Sequence, residues 1–230
     1  MNRNRNIDYT KLLSKNTKKR HSEIFPSSIR MIIAGRSGCG KTNLMVNLLL
    51  SGDLEYDDII VYTTTPYQDL YQFLQEFYSK IKNKYKTNDI IKFYSPEDTI
   101  MNPSKLDPNK THIVIFDDVQ SEQQKVMTDY FCRGRHNNIN VFYLCQSFHK
   151  LKKHGIRQNA NIFALFRQDR KTLKYFYDTE ISSDMSFDEF KQFCDKAWIN
   201  DFGYVIINLW EKPECGRYMQ NYELVWVPNK

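Results

Sequence analysis

The stretch Ile29-Arg-Met-Ile-Ile-Ala-Gly35-Arg-Ser-Gly-Cys-Gly-Lys41-Thr42-Asn43-Leu-Met-Val-Asn-Leu-Leu-Leu50 decides the fold. Its centre matches G-x-x-x-x-G-K-[ST] without a gap. The flanks matter as much as the motif. Ile29, Met31, Ile32, Ile33 and Ala34 read as a buried strand, and Asn43–Leu50 reads as a helix with a broad apolar face. Strand, glycine-rich loop and helix start together aim a row of backbone N–H groups and a helix dipole at a polyphosphate. Gly35, Arg36, Ser37, Gly38, Cys39, Gly40, Lys41, Thr42 and Asn43 are therefore the candidate triphosphate-binding set. Lys41 is suited to the β- and γ-phosphates, and the Thr42 hydroxyl to Mg²⁺.

Composition narrows what surrounds this motif. The 230 residues suffice for one well-packed domain with a small appendage. No apolar run approaches the ~20 residues of a spanning helix, and the polar N-terminus lacks the apolar segment of a secretory signal. The five cysteines are scattered without a C-x-x-C pair, which argues against a zinc site or a disulfide framework and for a reducing, cytosolic setting. Charge is uneven. Residues 1–20 hold seven Lys and Arg against Asp8 alone, so they account for the whole formal net charge of +6. Residues 1–25 are expected to form a flexible basic arm able to meet polyanions, or simply a solvated tail. Residues 26–230 are expected to form the nucleotide-binding domain.

The remaining pattern alternates. Strands are predicted at Asp57–Thr64, Ile90–Tyr94, His112–Phe116, Asn140–Gln146 and Asn161–Phe166, with helices at Tyr67–Lys82 and Gln120–Cys132. This is the order of an α/β fold, a mostly parallel central sheet flanked by helices. Helical stretches at Thr172–Thr179 and Phe187–Trp198 follow. Tyr204–Trp210 and Tyr222–Val227 then alternate like a C-terminal antiparallel hairpin at the sheet edge.

A phosphate loop alone does not separate a kinase from a motor, so three further elements carry the chemistry. Ile113-Val-Ile-Phe-Asp117-Asp118 is an apolar strand ending in an acidic pair, the form of a Walker B site. Asp117 is the candidate Mg²⁺ ligand, and Asp118 the candidate to orient or deprotonate the attacking water. Helix capping is the plainer role for such a pair. Gln146 ends the next strand and would face the γ-phosphate, because ligands bind beyond the carboxyl ends of parallel strands. Arg133 and Arg135, in Arg133-Gly-Arg-His-Asn137, suit phosphate oxygens and are candidates for a finger supplied to a neighbouring subunit. Arg157 and Arg167 are further candidates, with a charged helix terminus as the plainer explanation for each. The basic run Ser147–Arg157, with Lys150, Lys152, Lys153 and His154, reads as a solvated basic helix face, or, in the DNA motor that the resemblance given next implies, as the candidate loop to grip DNA.

Taken in series, the phosphate loop, Phe116-Asp-Asp118, Cys132-Arg-Gly-Arg-His-Asn-Asn138 and Leu144-Cys-Gln-Ser147 resemble the genome-packaging ATPases of poxviruses, virophages and Polinton-like elements. These form a branch of the FtsK/HerA superfamily, and the similarity spans about residues 28–210. The resemblance implies an ATP- and Mg²⁺-dependent motor, a hexameric ring, that pushes double-stranded DNA without sequence preference into a preformed viral capsid. It also implies residence in the host cytoplasm, a viral factory or the virion. By matching position it implies that Lys41 and Thr42 bind phosphate and Mg²⁺, Asp117 binds Mg²⁺ and Gln146 is the sensor. Asp118 departs from the Glu of many relatives and is shorter by one methylene. Two other functions stay open on the residues: a nucleoside or nucleotide kinase, and a non-motor adaptor that uses ATP only to order its assembly.

Overall fold

A computed structural model of the chain describes residues 21–95, 100–119 and 124–228. Among these, nine strands form one sheet with helices on both faces. In chain order the elements are β1 (Arg30–Ala34), α1 (Lys41–Leu50), β2 (Asp58–Thr63), α2 (Asp69–Tyr85), β3 (Ile91–Tyr94) and β4 (His112–Asp117). There follow α3 (Gln124–Arg133), β5 (Ile139–Cys145), β6 (Ile162–Phe166), α4 (Arg170–Phe176), α5 (Phe187–Ala197), β7 (Tyr204–Asn208), β8 (Tyr218–Gln220) and β9 (Leu224–Trp226).

The sheet order is β3-β2-β4-β5-β1-β6-β7-β8-β9. The first six positions are parallel and the last three strands antiparallel. The parallel strands are buried on both faces, which is why they read as unbroken apolar runs rather than alternating ones. Successive residues of β1 feed two separate cores. Met31 and Ile33 pack with Leu44, Tyr71 and Leu74 on the α1/α2 side. Ile32 and Ala34 pack with Met127, Phe131, Phe176 and Phe190 on the α3/α4/α5 side.

Register positions the site. Ala34 lies opposite Cys145, and Leu144 opposite Asp117, so β1, β5 and β4 end level. The ladders run one step further, Gly35 N donating to Cys145 O at 3.1 Å and Asp118 N to Leu144 O at 3.0 Å. The residues that follow each strand are thereby delivered to one edge.

The C-terminal region differs from the sequence reading in detail. Three antiparallel strands are present, not two: β7 pairs with β6 and β8, and the Tyr222–Val227 region pairs with β8. Tyr218–Gln220 is too short to show an alternation. The helix expected at Thr172–Thr179 begins earlier, at Arg170, because the Asp169 side chain caps it by accepting from Lys171 N and Thr172 N, and it loosens into a π turn at Tyr177–Ile181. The basic run after β5 forms short 3₁₀ turns at Phe148–Lys150 and Arg157–Asn159 rather than a basic helix face. Residues 1–20 of the expected basic arm lie outside the described residues. His21 bridges Leu54 and Phe25 packs against Tyr222. No described helix is long and apolar enough to cross a membrane.

Candidate active site

The loop between β1 and α1 owes its shape to glycine at two positions in particular. A Cβ at Gly35 would meet Cys39 Sγ at 2.5 Å and Phe166 Cβ at 2.7 Å, so only glycine lets the chain leave β1 this close to β6. Gly40 has φ 104°, in the left-handed region that a side chain rarely adopts, and it leads directly into α1. No acidic residue of the first turn of α1 offsets the positive end of its dipole. Lys41 is only 8% exposed. Its Nζ donates to the carbonyls of Gly35 at 2.8 Å and Arg36 at 3.0 Å, which holds the ammonium folded over the loop.

Across the pocket, Asp117 ends β4 and is 6% exposed. The Tyr71 hydroxyl donates to its Oδ2 at 2.6 Å, and Gln68 Nε2 reaches the same oxygen at 3.4 Å. Burial is the main influence on the Asp117 carboxyl and raises its pKa, against the Tyr71 bond and the Lys41 charge. Burial likewise raises the Tyr71 pKa, so the hydroxyl remains a donor. Asp118 adopts φ 54°, in the left-handed region. Gln146, just past β5, donates from Nε2 to Asp118 Oδ2. Because β5 runs between β4 and β1, Gln146 stands between the acidic pair and the loop.

A cavity of about 370 Å³ joins these parts. Ser37, Gly38, Gly40, Lys41, Thr42 and Asn43 line one side, and Asp117, Asp118 and Gln146 the other, with Thr65, Gln68 and Leu70 closing the end. Of the remaining loop residues, Gly35 and Arg36 contribute the carbonyls that hold Lys41, and Cys39 faces a neighbouring cavity. Burial raises the Cys39 pKa, so the thiol stays neutral beside the phosphate site. The donor set fits Mg²⁺. The Thr42 hydroxyl and a buried, incompletely neutralised Asp117 carboxylate are hard oxygen donors, and this ion is usually held by one or two protein oxygens plus substrate phosphate. No group of three or more His, Cys, Asp or Glu that could hold a metal ion occurs among the described residues.

The candidate arginines are not brought to this pocket. Arg133 ends α3 beside Asp129, and Arg135 sits in the turn before β5, close enough to Arg30 for their charges to interact. Both therefore lie toward the opposite edge of the sheet. Arg157 is corrected outright as a finger for a neighbour. It is 3% exposed, its guanidinium stacks on Phe148 and Tyr175 at 5.0 Å from each ring centre, and Nη2 donates to the Tyr175 hydroxyl. Arg167 is exposed at the end of β6 and lines the cavity that Cys39 faces. The sequence reading missed Thr65, Gln68 and Tyr71. Their signal was the polar Thr63-Thr-Thr65 run at the carboxyl end of β2, the same edge that the other site residues share.

Fold and pocket together define a P-loop ATPase. More narrowly, the chain belongs to the family described as Poxvirus A32 protein, whose model matches residues 16–173, more than half of its length. Solved structures of the genome packaging NTPase B204 from Sulfolobus turreted icosahedral virus 2 share the fold. The complex with AMP aligns with a TM-score of 0.54 at 12% identity, and those with AMPPCP and ATP-gammaS with 0.53 at 11% and 13%. Each alignment covers 80% of this chain and 94% of the other. No curated protein matches the chain by sequence.

Proposed function

We propose that the chain is an ATP-driven motor that moves double-stranded DNA into a preformed viral capsid. The observation that supports this best is the convergence of Lys41, Thr42, Asp117, Asp118 and Gln146 on one cavity at one sheet edge. Membership of the Poxvirus A32 family and the fold shared with a viral genome packaging NTPase favour the same reading.

In this account the loop N–H groups and the start of α1 bind the triphosphate. Lys41 exchanges the Gly35 and Arg36 carbonyls for β- and γ-phosphate oxygens, a swap of neutral acceptors for charged ones and hence of weaker for stronger hydrogen bonds. Thr42 and Asp117 would hold Mg²⁺, which neutralises charge on the phosphates. Tyr71 and Gln68 fix the Asp117 carboxylate in the orientation that this requires. Asp118 orients or deprotonates the attacking water. Gln146, bonded to Asp118 in this structure, shifts to the γ-phosphate when nucleotide is present and returns after hydrolysis.

That exchange gives the chain a two-state element that a neighbouring subunit can sense. An arginine outside its own pocket, such as Arg133 or Arg135, would serve a neighbour's pocket in a ring. DNA would be gripped through its phosphates by basic segments, among them residues 1–25, with little sequence preference and steep salt dependence.

The test combines steady-state ATP hydrolysis with displacement of a triplex-forming strand from linear duplex. Duplex DNA and rising subunit concentration should both accelerate hydrolysis, and strand displacement should require ATP. Hydrolysis indifferent to duplex and to protein concentration, with no displacement, would contradict the motor.

A further inference from the structure

A second cavity, about 240 Å³, shares the phosphate loop as a wall but lies on its opposite side, over β6 and the turn that joins α5 to β7. Cys39, Phe166 and Arg167 line one part, and Asn200, Asp201 and Phe202 the rest. We propose that this cavity holds the adenine of the bound nucleotide, stacked on the Phe202 ring and approached by the Arg167 guanidinium. The inference rests on the reading of the first cavity as the triphosphate site, and it extends that site to a base pocket built from the C-terminal part of the chain.

Direction comes first. A nucleotide whose γ-phosphate faces Asp117 and Gln146 lies with its chain of phosphates along the loop, and its base must emerge on the side away from β4. The sheet order β4-β5-β1-β6-β7 puts β6 and the turn before β7 on that side. Gly40 marks the passage between the two cavities, since a Cβ there would stand 3.3 Å from both the Phe166 and Phe202 rings.

The chemistry of the walls is the second observation. Phe202 is 67% exposed, although the chain has two large cores in which an aromatic ring could be buried. Its backbone has φ 62°, a conformation costly for an aromatic residue and found where the surroundings impose it. What imposes it is visible. A Cβ at Gly203 would stand 1.9 Å from Ala197 O, and Gly203 N donates to Asn200 O at 3.1 Å, so the turn is clamped to the end of α5. Trp198 anchors the other end by donating from Nε1 to Leu165 O at 3.0 Å. The turn thus holds a bare aromatic face beside the phosphate loop. A flat π-ring and an arginine lining one cavity suit a heterocyclic base, by stacking and by cation–π attraction. Asn200 and Asp201 at the rim offer acceptors for the exocyclic amine.

Binding of ATP and of inorganic tripolyphosphate, both with Mg²⁺, to the full chain tests this. Phe202→Ala should weaken ATP about tenfold or more and leave tripolyphosphate within about twofold, while Phe202→Tyr should keep wild-type affinity for both. Unchanged ATP affinity in Phe202→Ala, alongside loss of binding in Lys41→Ala, would overturn the base pocket and leave the phosphate site standing. Equal weakening of ATP and tripolyphosphate would also overturn it, since Phe202 would then act only by supporting the loop. If Lys41→Ala binds both ligands like wild type, the phosphate site fails and the base pocket with it.

Discussion

The two edges of the same parallel sheet both carry buried polar side chains, Asn140, Asn161 and His112 at one and Lys41 and Asp117 at the other, but they use them differently. At the amino edge, Asn140 Oδ1 accepts from Ile29 N at 2.9 Å and from His21. Asn161 takes Arg30 N at 2.8 Å and gives to Ser28 O at 2.7 Å. His112 is held between the Asp58 carboxylate at 2.6 Å and the Asp107 carbonyl at 2.8 Å. These groups mostly clamp backbone, tying the segment before β1 to the strands beside it. At the carboxyl edge, buried Lys41 and Asp117 and exposed Asp118 and Gln146 face a common cavity, and the last two bond to one another. Low exposure of a polar group does not by itself mark a site. Convergence on a space does.

Substitutions on the two edges should therefore separate activity from stability. The largest effect is expected for Lys41→Ala, which should lower ATP turnover by about 10²–10³-fold or more, since it removes a preorganised positive charge. Its melting temperature should stay near wild type, because the lost bonds go to loop carbonyls only; a large drop in melting would instead make Lys41 a structural residue. Tyr71→Phe comes next. The ring keeps its packing against Phe93 but loses the bond to Asp117, so turnover should fall about tenfold and the Mg²⁺ requirement rise. Full activity at ordinary Mg²⁺ in that variant would confine Tyr71 to the core.

On the amino edge the pattern should invert. Asn140→Ala strands the Ile29 N–H and should cost about 1–3 kcal/mol of stability, with ATPase activity per folded molecule unchanged. Denaturant unfolding and titrated turnover would show whether the edges are that independent. The smallest effect is a pH dependence. Burial alone would lower the His112 pKa, but the bonds to Asp58 and Asp107 outweigh it and hold the value above the ordinary one. A raised pKa means that the contribution is fully present below about pH 6.5 and is lost as pH rises through the folded value. The melting temperature should accordingly decline over that window, and His112→Gln should flatten the decline.

Much of the carboxyl edge was legible because its chemistry is written in contiguous residues. The phosphate loop, the Asp117–Asp118 pair and Gln146 each follow an apolar strand, and the rule that ligands gather beyond strand ends unites them without coordinates. What stayed hidden depends on contacts between distant segments. The insertion of β5 between β4 and β1 is a matter of pairing, not of local pattern. Tyr71 lies inside the helix predicted at Tyr67–Lys82 with nothing local to single it out, and only the register of β2 against β4 brings its hydroxyl to Asp117. Arg157 looked like a free cation, but Phe148 and Tyr175 enclose it from either side in sequence. Phe202 reads as one more apolar residue near Trp198; its exposure follows from a left-handed turn that Gly203 makes possible. The short β8 lacked enough residues for any period to show.

The most direct test of the account is to locate the metal and the γ-phosphate. Crystals of the full chain grown with Mn²⁺ and a slowly hydrolysed ATP analogue would place the ion by its anomalous signal. The account predicts a peak between the Thr42 hydroxyl and the Asp117 carboxylate, with the γ-phosphate held between Lys41 and Gln146. An ion bound away from Asp117, or a triphosphate lying outside the loop between β1 and α1, would contradict it.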